Sequence, residues 1–143
     1  MPDDRRARLE AYARYYETLT PATIGELHRH VAPDFHFHDP FNETHGVVAY
    51  ERVLSKMFDD VAAPRFEIEH AVLDGAIGYL KWRLFFLSRR GVAREIVGVS
   101  ELHFDDEDRI ARHVDHWDVA SQLYEGVPIL GFVLRRLRRR LAA

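Results

Sequence analysis

An α+β fold is what this sequence predicts: a single domain with helices covering one face of an antiparallel sheet. Three observations carry that expectation. Apolar residues recur at three- and four-residue steps through the first part of the chain, the period of amphipathic helices. From Arg65 onward the period changes to two, with turn signals at Asp74-Gly75, Arg89-Arg90-Gly91 and Asp105 to Asp108. The 143 residues contain no repeat and no low-complexity linker, so one domain, 1–143, is expected, with its core over about 8–125.

The elements follow in order. In the first helix Leu9, Tyr12, Ala13, Tyr16 and Leu19 form one stripe. Thr20 and Pro21 read as the N-cap and first residue of a second helix, with Ile24, Leu27, His28 and Val31 inward and Pro33 ending it. Phe35 to Asp39 is a short strand that sets Phe35, Phe37 and Asp39 on one face and His36 and His38 on the other. Gly46 leads a third helix, Val47 to Asp60, with Val48, Val53 or Leu54, Met57 and Val61 inward. Four strands then form a meander: Arg65–Leu73, Ile77–Ser88, Arg94–Phe104 and Arg109–Val119. Leu80, Trp82, Leu84 and Phe86 share a phase in the second of these, and Ile96, Gly98, Ser100, Leu102 and Phe104 in the third. An Arg-rich closing helix, about 126–143, follows the interruption at Gly126-Val127-Pro128. Three helices on the concave face of a strongly curved sheet enclose a cone-shaped pocket and leave the convex face for a partner.

Composition narrows the function classes. An apolar share of 47% and a charged share of 30% are ordinary for a globular chain. The absence of Cys removes disulfides, thiolate catalysis and Cys-ligated metals. No run of about 18 apolar residues is present. The start, M-P-D-D-R-R-A-R-L-E, has no apolar signal core, so secretion is not expected and the cytoplasm is the expected compartment. The net charge of −3 is uneven, because Arg135, Arg136, Arg138, Arg139 and Arg140 gather at the end. With Leu130, Leu134, Leu137 and Leu141 on its other side, that segment is a basic amphipathic helix. Such helices can meet anionic membranes or nucleic acid. Its short, narrow stripe favours packing on its own domain or on a second copy, so neither partner is expected.

The densest chemistry is R-H-V-D-H-W-D, Arg112 to Asp118. Strand alternation puts His113, Asp115 and Trp117 on one face and Arg112, Val114, His116 and Asp118 on the other. A carboxylate between an imidazole and an indole sits in a poor solvent, a setting used for acid–base chemistry; the alternative is a structural Asp–His pair. Asp39, in phase with Phe35 and Phe37, is the second candidate base, and its alternative is a turn cap before Pro40. Both carboxylates are expected to face one pocket. Tyr15, Tyr16 and Ser100 are candidate donors to a carbonyl or enolate oxygen; only one of the two tyrosines can face the pocket. Phe35, Phe37, Trp82, Phe86, Leu102, Phe104 and Trp117 are candidate pocket walls, with ordinary core packing as the alternative. The H-x-H-D of His36, His38 and Asp39, with His45, invites a metal. Alternation turns Asp39 to the opposite face, so no metal is expected. No Gly-rich phosphate loop occurs, and no cofactor is expected.

The element order, Asp39-Pro40 after a short strand, the Gly46-led helix and the H-W-D ending resemble the nuclear transport factor 2-like superfamily over about residues 8–125. Within it the chain is similar to SnoaL-like polyketide cyclases and ketosteroid isomerases. The resemblance implies a cone-shaped α+β barrel, a buried hydrophobic pocket and a homodimer through the convex sheet face, but no single reaction. The ketosteroid isomerase pattern falls on Tyr15 (Tyr16 the near alternative), on Asp39 as general base, and on Ser100 where the family has a protonated Asp. The SnoaL-like pattern places its acid/base Asp on Asp115, with Asp118 the alternative. The expected function is cofactor-free proton transfer, of isomerase or cyclase type, on an apolar carbonyl compound. The alternatives are a non-catalytic module for an apolar small molecule and an interaction protein that uses the basic C-terminal helix.

Overall fold

The computed structural model describes residues 2–122 and 128–142. The first helix, α1, spans Pro2–Glu17, and the stripe expected of it is buried: Leu9, Tyr12, Ala13 and Tyr16, with Leu19 just beyond. Tyr15 is buried beside them.

The second helix differs from expectation. It is a 3-10 helix, Ile24–Arg29, and Val31 and Pro33 belong to the strand that follows. Thr20 does not cap it: the Thr23 N–H closes a turn onto the Thr20 carbonyl at 3.0 Å, and the Thr20 N–H donates to Thr23 Oγ1 at 2.9 Å. That turn consumes the residues an α-helix would have used. What remains buries Ile24 and Leu27, three apart, and exposes His28. A spacing of three suits a helix with three residues per turn.

β1, Val31–His38, pairs antiparallel with β2, Glu43–His45, a strand too short for alternation to reveal. The loop between them is built by Asp39. Its Oδ1 accepts the Phe41 N–H at 2.8 Å and the Asn42 N–H at 2.6 Å, and its own N–H donates to the Asn42 carbonyl at 2.9 Å. α2 spans Val47–Asp60, the limits read from the sequence. Its inner face is rotated, however: Tyr50 and Leu54 are buried, Val53 and Met57 are half-buried, and Val48 is 61% exposed.

The meander follows as β3 (Ala62–Asp74), β4 (Ile77–Leu87), β5 (Ala93–Phe104) and β6 (Ile110–His116). Gly75 sits at φ +60° in the β3–β4 turn, a region that suits glycine. The sheet order is β2-β1-β6-β5-β4-β3, antiparallel except for the parallel β1–β6 pair. Register shifts within β1, β3 and the β5–β6 pair bend it. β6 ends three residues before the expected Val119, because Asp118 starts a short helix, α3 (Val119–Gln122), by accepting the Ser121 N–H at 3.2 Å. Past that end Gln122 takes over the pairing. Its amide accepts the Val97 N–H at 2.5 Å and donates to the Val97 carbonyl at 3.0 Å, as one more strand residue would.

The core lies between the inner face of the sheet and the helices. Leu80, Trp82, Ile96, Leu102, Phe104 and Ile110 close against α1 and α2, each large side chain contributing about 1.5–3 kcal/mol on burial. α4 spans Pro128–Leu141. On this chain Leu137 is 49% and Leu141 85% exposed, and the described arginines of the helix face solvent. The side chains of Leu130 and Leu134, and residues 126 and 127, lie outside the described residues. No described helix is long and apolar enough to cross a membrane.

Candidate active site

A cavity of about 570 Å³ opens between α2 and the inner face of the sheet, a volume that suits a small organic ligand. Phe37, Tyr50, Met57, Trp82, Ile96 and Trp117 supply apolar wall. Polar groups converge at Asp115, Asp39 and Asn42, with Arg52 and Lys56 on the α2 side. Phe41, half exposed, meets the Trp117 ring edge-on at 5.7 Å.

Asp115 is the best-oriented group in it. The β5–β6 register sets Ser100 directly opposite Asp115. Ser100 Oγ donates to Asp115 Oδ1 at 2.5 Å, and His113, two residues earlier on the same face, reaches the same oxygen through Nε2 at 2.6 Å. Trp82 Nε1 donates to Ser100 Oγ at 2.9 Å. On the far side of the imidazole, Tyr12 lies 2.8 Å from His113 Nδ1, Tyr16 lies 3.0 Å from Tyr12, and Tyr50 lies 2.6 Å from Tyr16, hydroxyl to hydroxyl.

The donor directions follow from the inventory of protons. An ionised Asp115 only accepts, so His113 carries its proton on Nε2. With one proton on the ring, Nδ1 accepts, and Tyr12 gives it its single proton. Tyr16 therefore donates to Tyr12, and Tyr50 to Tyr16. The whole chain points one way and ends on one carboxylate oxygen. Burial pushes the phenols of Tyr12, Tyr16 and Tyr50 well above the ordinary tyrosine value, and the charge of Asp115 adds to it. They stay protonated donors. Among the described residues Asp115 Oδ2 takes no hydrogen bond. The Asp115 side chain is 17% exposed and borders both the large cavity and a void of about 30 Å³, shared with Tyr16, Tyr50 and Ser100, that has room for a water.

The other sequence candidates sort by position. Asp39 lines the cavity, but its Oδ1 also holds the β1–β2 turn. Tyr16 joins the Asp115 network, whereas the Tyr15 hydroxyl donates to the Ile24 carbonyl at 2.9 Å and burial raises its pKa. Ser100 spends its proton on Asp115. Phe37, Trp82 and Trp117 line the cavity; Phe35, Leu102 and Phe104 are closed into the core and Phe86 packs half-buried against it, so these four are not its walls. Two participants went unseen in the sequence. Tyr12 stood in the α1 stripe as core alone, and its hydroxyl partner is 101 residues away. Tyr50 was hidden by anchoring the α2 stripe at Val48; the Tyr50, Val53, Leu54 and Met57 spacing carries the correct face.

The sequence model of the SnoaL-like domain family matches residues 12–113. No curated protein matches the chain. Solved structures share its fold. AclR, a putative hydroxylase from Streptomyces galilaeus, is similar with a TM-score of 0.70 and 15% identity, over 98% of this chain and 92% of its own. A putative SnoaL-like polyketide cyclase from Shewanella putrefaciens CN-32 is similar with a TM-score of 0.64 and 23% identity, over 86% and 97%. TerC, co-crystallised with polyporic acid, is similar with a TM-score of 0.71 and 13% identity, over 82% and 94%.

Proposed function

The chain belongs to the family of SnoaL-like domains, and on that premise we propose that it is a cofactor-free proton-transfer enzyme, of isomerase or cyclase type, acting on an apolar carbonyl compound with Asp115 as its base. Asp115 lies two residues beyond the matched stretch, so its role rests on geometry. The carrying observation is that two donors clamp Asp115 Oδ1 and leave Oδ2 to an apolar-walled cavity. A fixed carboxylate with one free oxygen is a base already oriented for a bound C–H.

In this mechanism Oδ2 removes a proton from the carbon beside the carbonyl. The C–H electron pair moves into the carbonyl and leaves an enolate. Tyr50, whose side chain lines the cavity, turns its O–H from Tyr16 to the enolate oxygen. Protonated Asp115 returns the proton at a different carbon for an isomerisation. In a cyclisation the enolate carbon bonds to a second carbonyl of the same molecule, and the proton goes to the alkoxide formed there. His113 and Ser100 position the carboxylate throughout. Arg52, exposed at the rim, offers a positive charge for an acidic substituent; the polyporic acid of the TerC crystals supports an organic acid as ligand. We place a second copy of the chain against the outer face of the sheet, and no nucleic acid or membrane in the function.

The test needs no knowledge of the product. Small ketones and phenolic ketones that bind the protein are incubated in deuterated water, and exchange beside the carbonyl is followed by NMR. Wild type accelerates exchange, and Asp115→Asn loses about 10²- to 10⁴-fold of it. A ligand that binds tightly yet exchanges at the solution rate sinks the enzyme reading. That outcome favours the second reading, a binding module, which the satisfaction of both Asp39 Oδ1 and Asp115 Oδ1 by fold-building donors supports.

A further inference from the structure

We propose that the outer face of the β1–β2 hairpin is a binding site for a divalent transition-metal ion of the zinc class, held by His36, Glu43 and His45. The register sets His36 opposite His45 and His38 opposite Glu43. Paired residues, and residues two apart on one strand, project from the same face. Four ligand-type side chains therefore share one small patch. One ligand atom each from His36, Glu43 and His45 lies within 4.8 Å of the others. His36 Nε2 and Glu43 Oε1 are 3.1 Å apart. Two ligands on a tetrahedral ion with bonds of 2.0–2.1 Å lie about 3.3 Å from one another, so this pair already has the spacing of a coordination edge. The His36 and His45 rings stack face to face at 4.4 Å with 13° between their planes, which keeps the two imidazoles together. Two imidazoles and one carboxylate suit zinc, cobalt, nickel or iron better than magnesium or calcium.

The scaffold under the ligands is braced. Gly46 N–H donates to the Phe35 carbonyl at 2.7 Å at one end of the hairpin, and the Asp39 turn closes the other. His38, paired with Glu43, projects from the same face. Arg112, opposite His36 across the β1–β6 pair, is the cation the site must tolerate, and the Glu43 carboxylate offsets it. Sequence alternation discarded a metal here because Asp39 turns away. Glu43 supplies the carboxylate instead, and only the fold-back of β2 brings it there. The patch lies on the opposite side of β1 from Phe37 and the Asp115 cavity, so it does not depend on the proposed proton transfer.

The full chain, stripped with a chelator, is titrated with Zn²⁺ by calorimetry and with Co²⁺ by visible absorption. Wild type should bind one equivalent at the hairpin and give the absorption band of tetrahedral cobalt. His45→Ala and the near-isosteric Glu43→Gln should each weaken Zn²⁺ binding about tenfold or more. His116→Ala is the control: it removes a histidine from the separate group in which Glu101 bonds His103 and His116 on the outer sheet face. Equal affinity in wild type, His45→Ala and Glu43→Gln overturns the site, as does an equal loss in His116→Ala. A plain His36–Glu43 hydrogen bond without metal affinity gives the first of these results.

Discussion

Tyr12 decides what His113 can do. When its hydroxyl donates to Nδ1, the imidazole presents Nε2–H to Asp115; without it, buried Nδ1 has no partner. Leaving such a group unsatisfied costs about 1–3 kcal/mol, so this phenol stabilises the fold as well as the tautomer. The same burial has a consequence at high pH. Tyr12, Tyr15, Tyr16 and Tyr50 all have pKa values raised chiefly by desolvation. Below about pH 10 the phenols are protonated in both folded and unfolded chains, and their contribution to stability is fully present. Above it the unfolded chain ionises first and releases protons the folded chain keeps, so stability falls as pH rises toward the folded values. Absorbance at the phenolate band should show these four of the six tyrosines ionising only with the unfolding transition. Smooth titration of all six near pH 10 in a folded chain would refute the buried relay. Alternation alone made His113, Asp115 and Trp117 legible in the sequence. The phenol relay was not legible, because its geometry joins α1 to β6 across nearly the whole chain.

At the scale of elements, β4 and β5 meet in a contact that only glycine permits. Gly98 pairs with Trp82, and a Cβ there would stand 2.6 Å from Trp82 Cη2. The indole cannot simply swing away, since Nε1 is bound to Ser100, which in turn holds Asp115. Gly98→Ala should therefore destabilise the domain by about 1–3 kcal/mol and lower ligand affinity, because a displaced Trp82 enters the cavity. A shift of the urea midpoint at constant m-value, with ligand binding followed by tryptophan fluorescence, measures both; an unchanged midpoint means the ring relocates freely and Trp82 does not brace the site. Elements with long regular patterns were readable: α1 buries its expected stripe, and α2 and the four long strands fall near their expected limits. Short ones were not. Three residues of β2 show no usable alternation, and the 3-10 helix carries two inward residues that fit either helix type. Those are the places where a local turn, at Thr20–Thr23 or at Asp39–Asn42, outweighs periodicity.

For the whole molecule, the decisive asymmetry is that α1 and α2 cover the inner face of the sheet, while among the described residues the outer face keeps large apolar side chains exposed. The outer face of β3 to β6 carries Val72 and Tyr79, more than a third exposed, beside half-buried Phe85, Val97 and Val99. Its charges are largely matched within the face. Arg83 bonds Glu69 and Glu95, Lys81 lies 3.6 Å from Glu69, and Glu101 sits between His103 and His116. Charges already paired in the plane cost less to cover than isolated ones, while the valines and aromatic rings gain from burial. A second copy docked there would need about 1,200–2,000 Å² of total buried surface for a stable interface, which four long strands can supply. Light scattering at micromolar concentration should thus give about twice 16.7 kDa. Val99→Arg, in the middle of β5 and opposite Lys81 and His116, sets an unmatched cation at the centre and should return the mass to that of one chain. Because the Asp115 cavity opens on the other face, the same variant should keep wild-type ligand affinity. A wild-type chain that weighs 16.7 kDa across that concentration range leaves the outer face to solvent and removes the dimer.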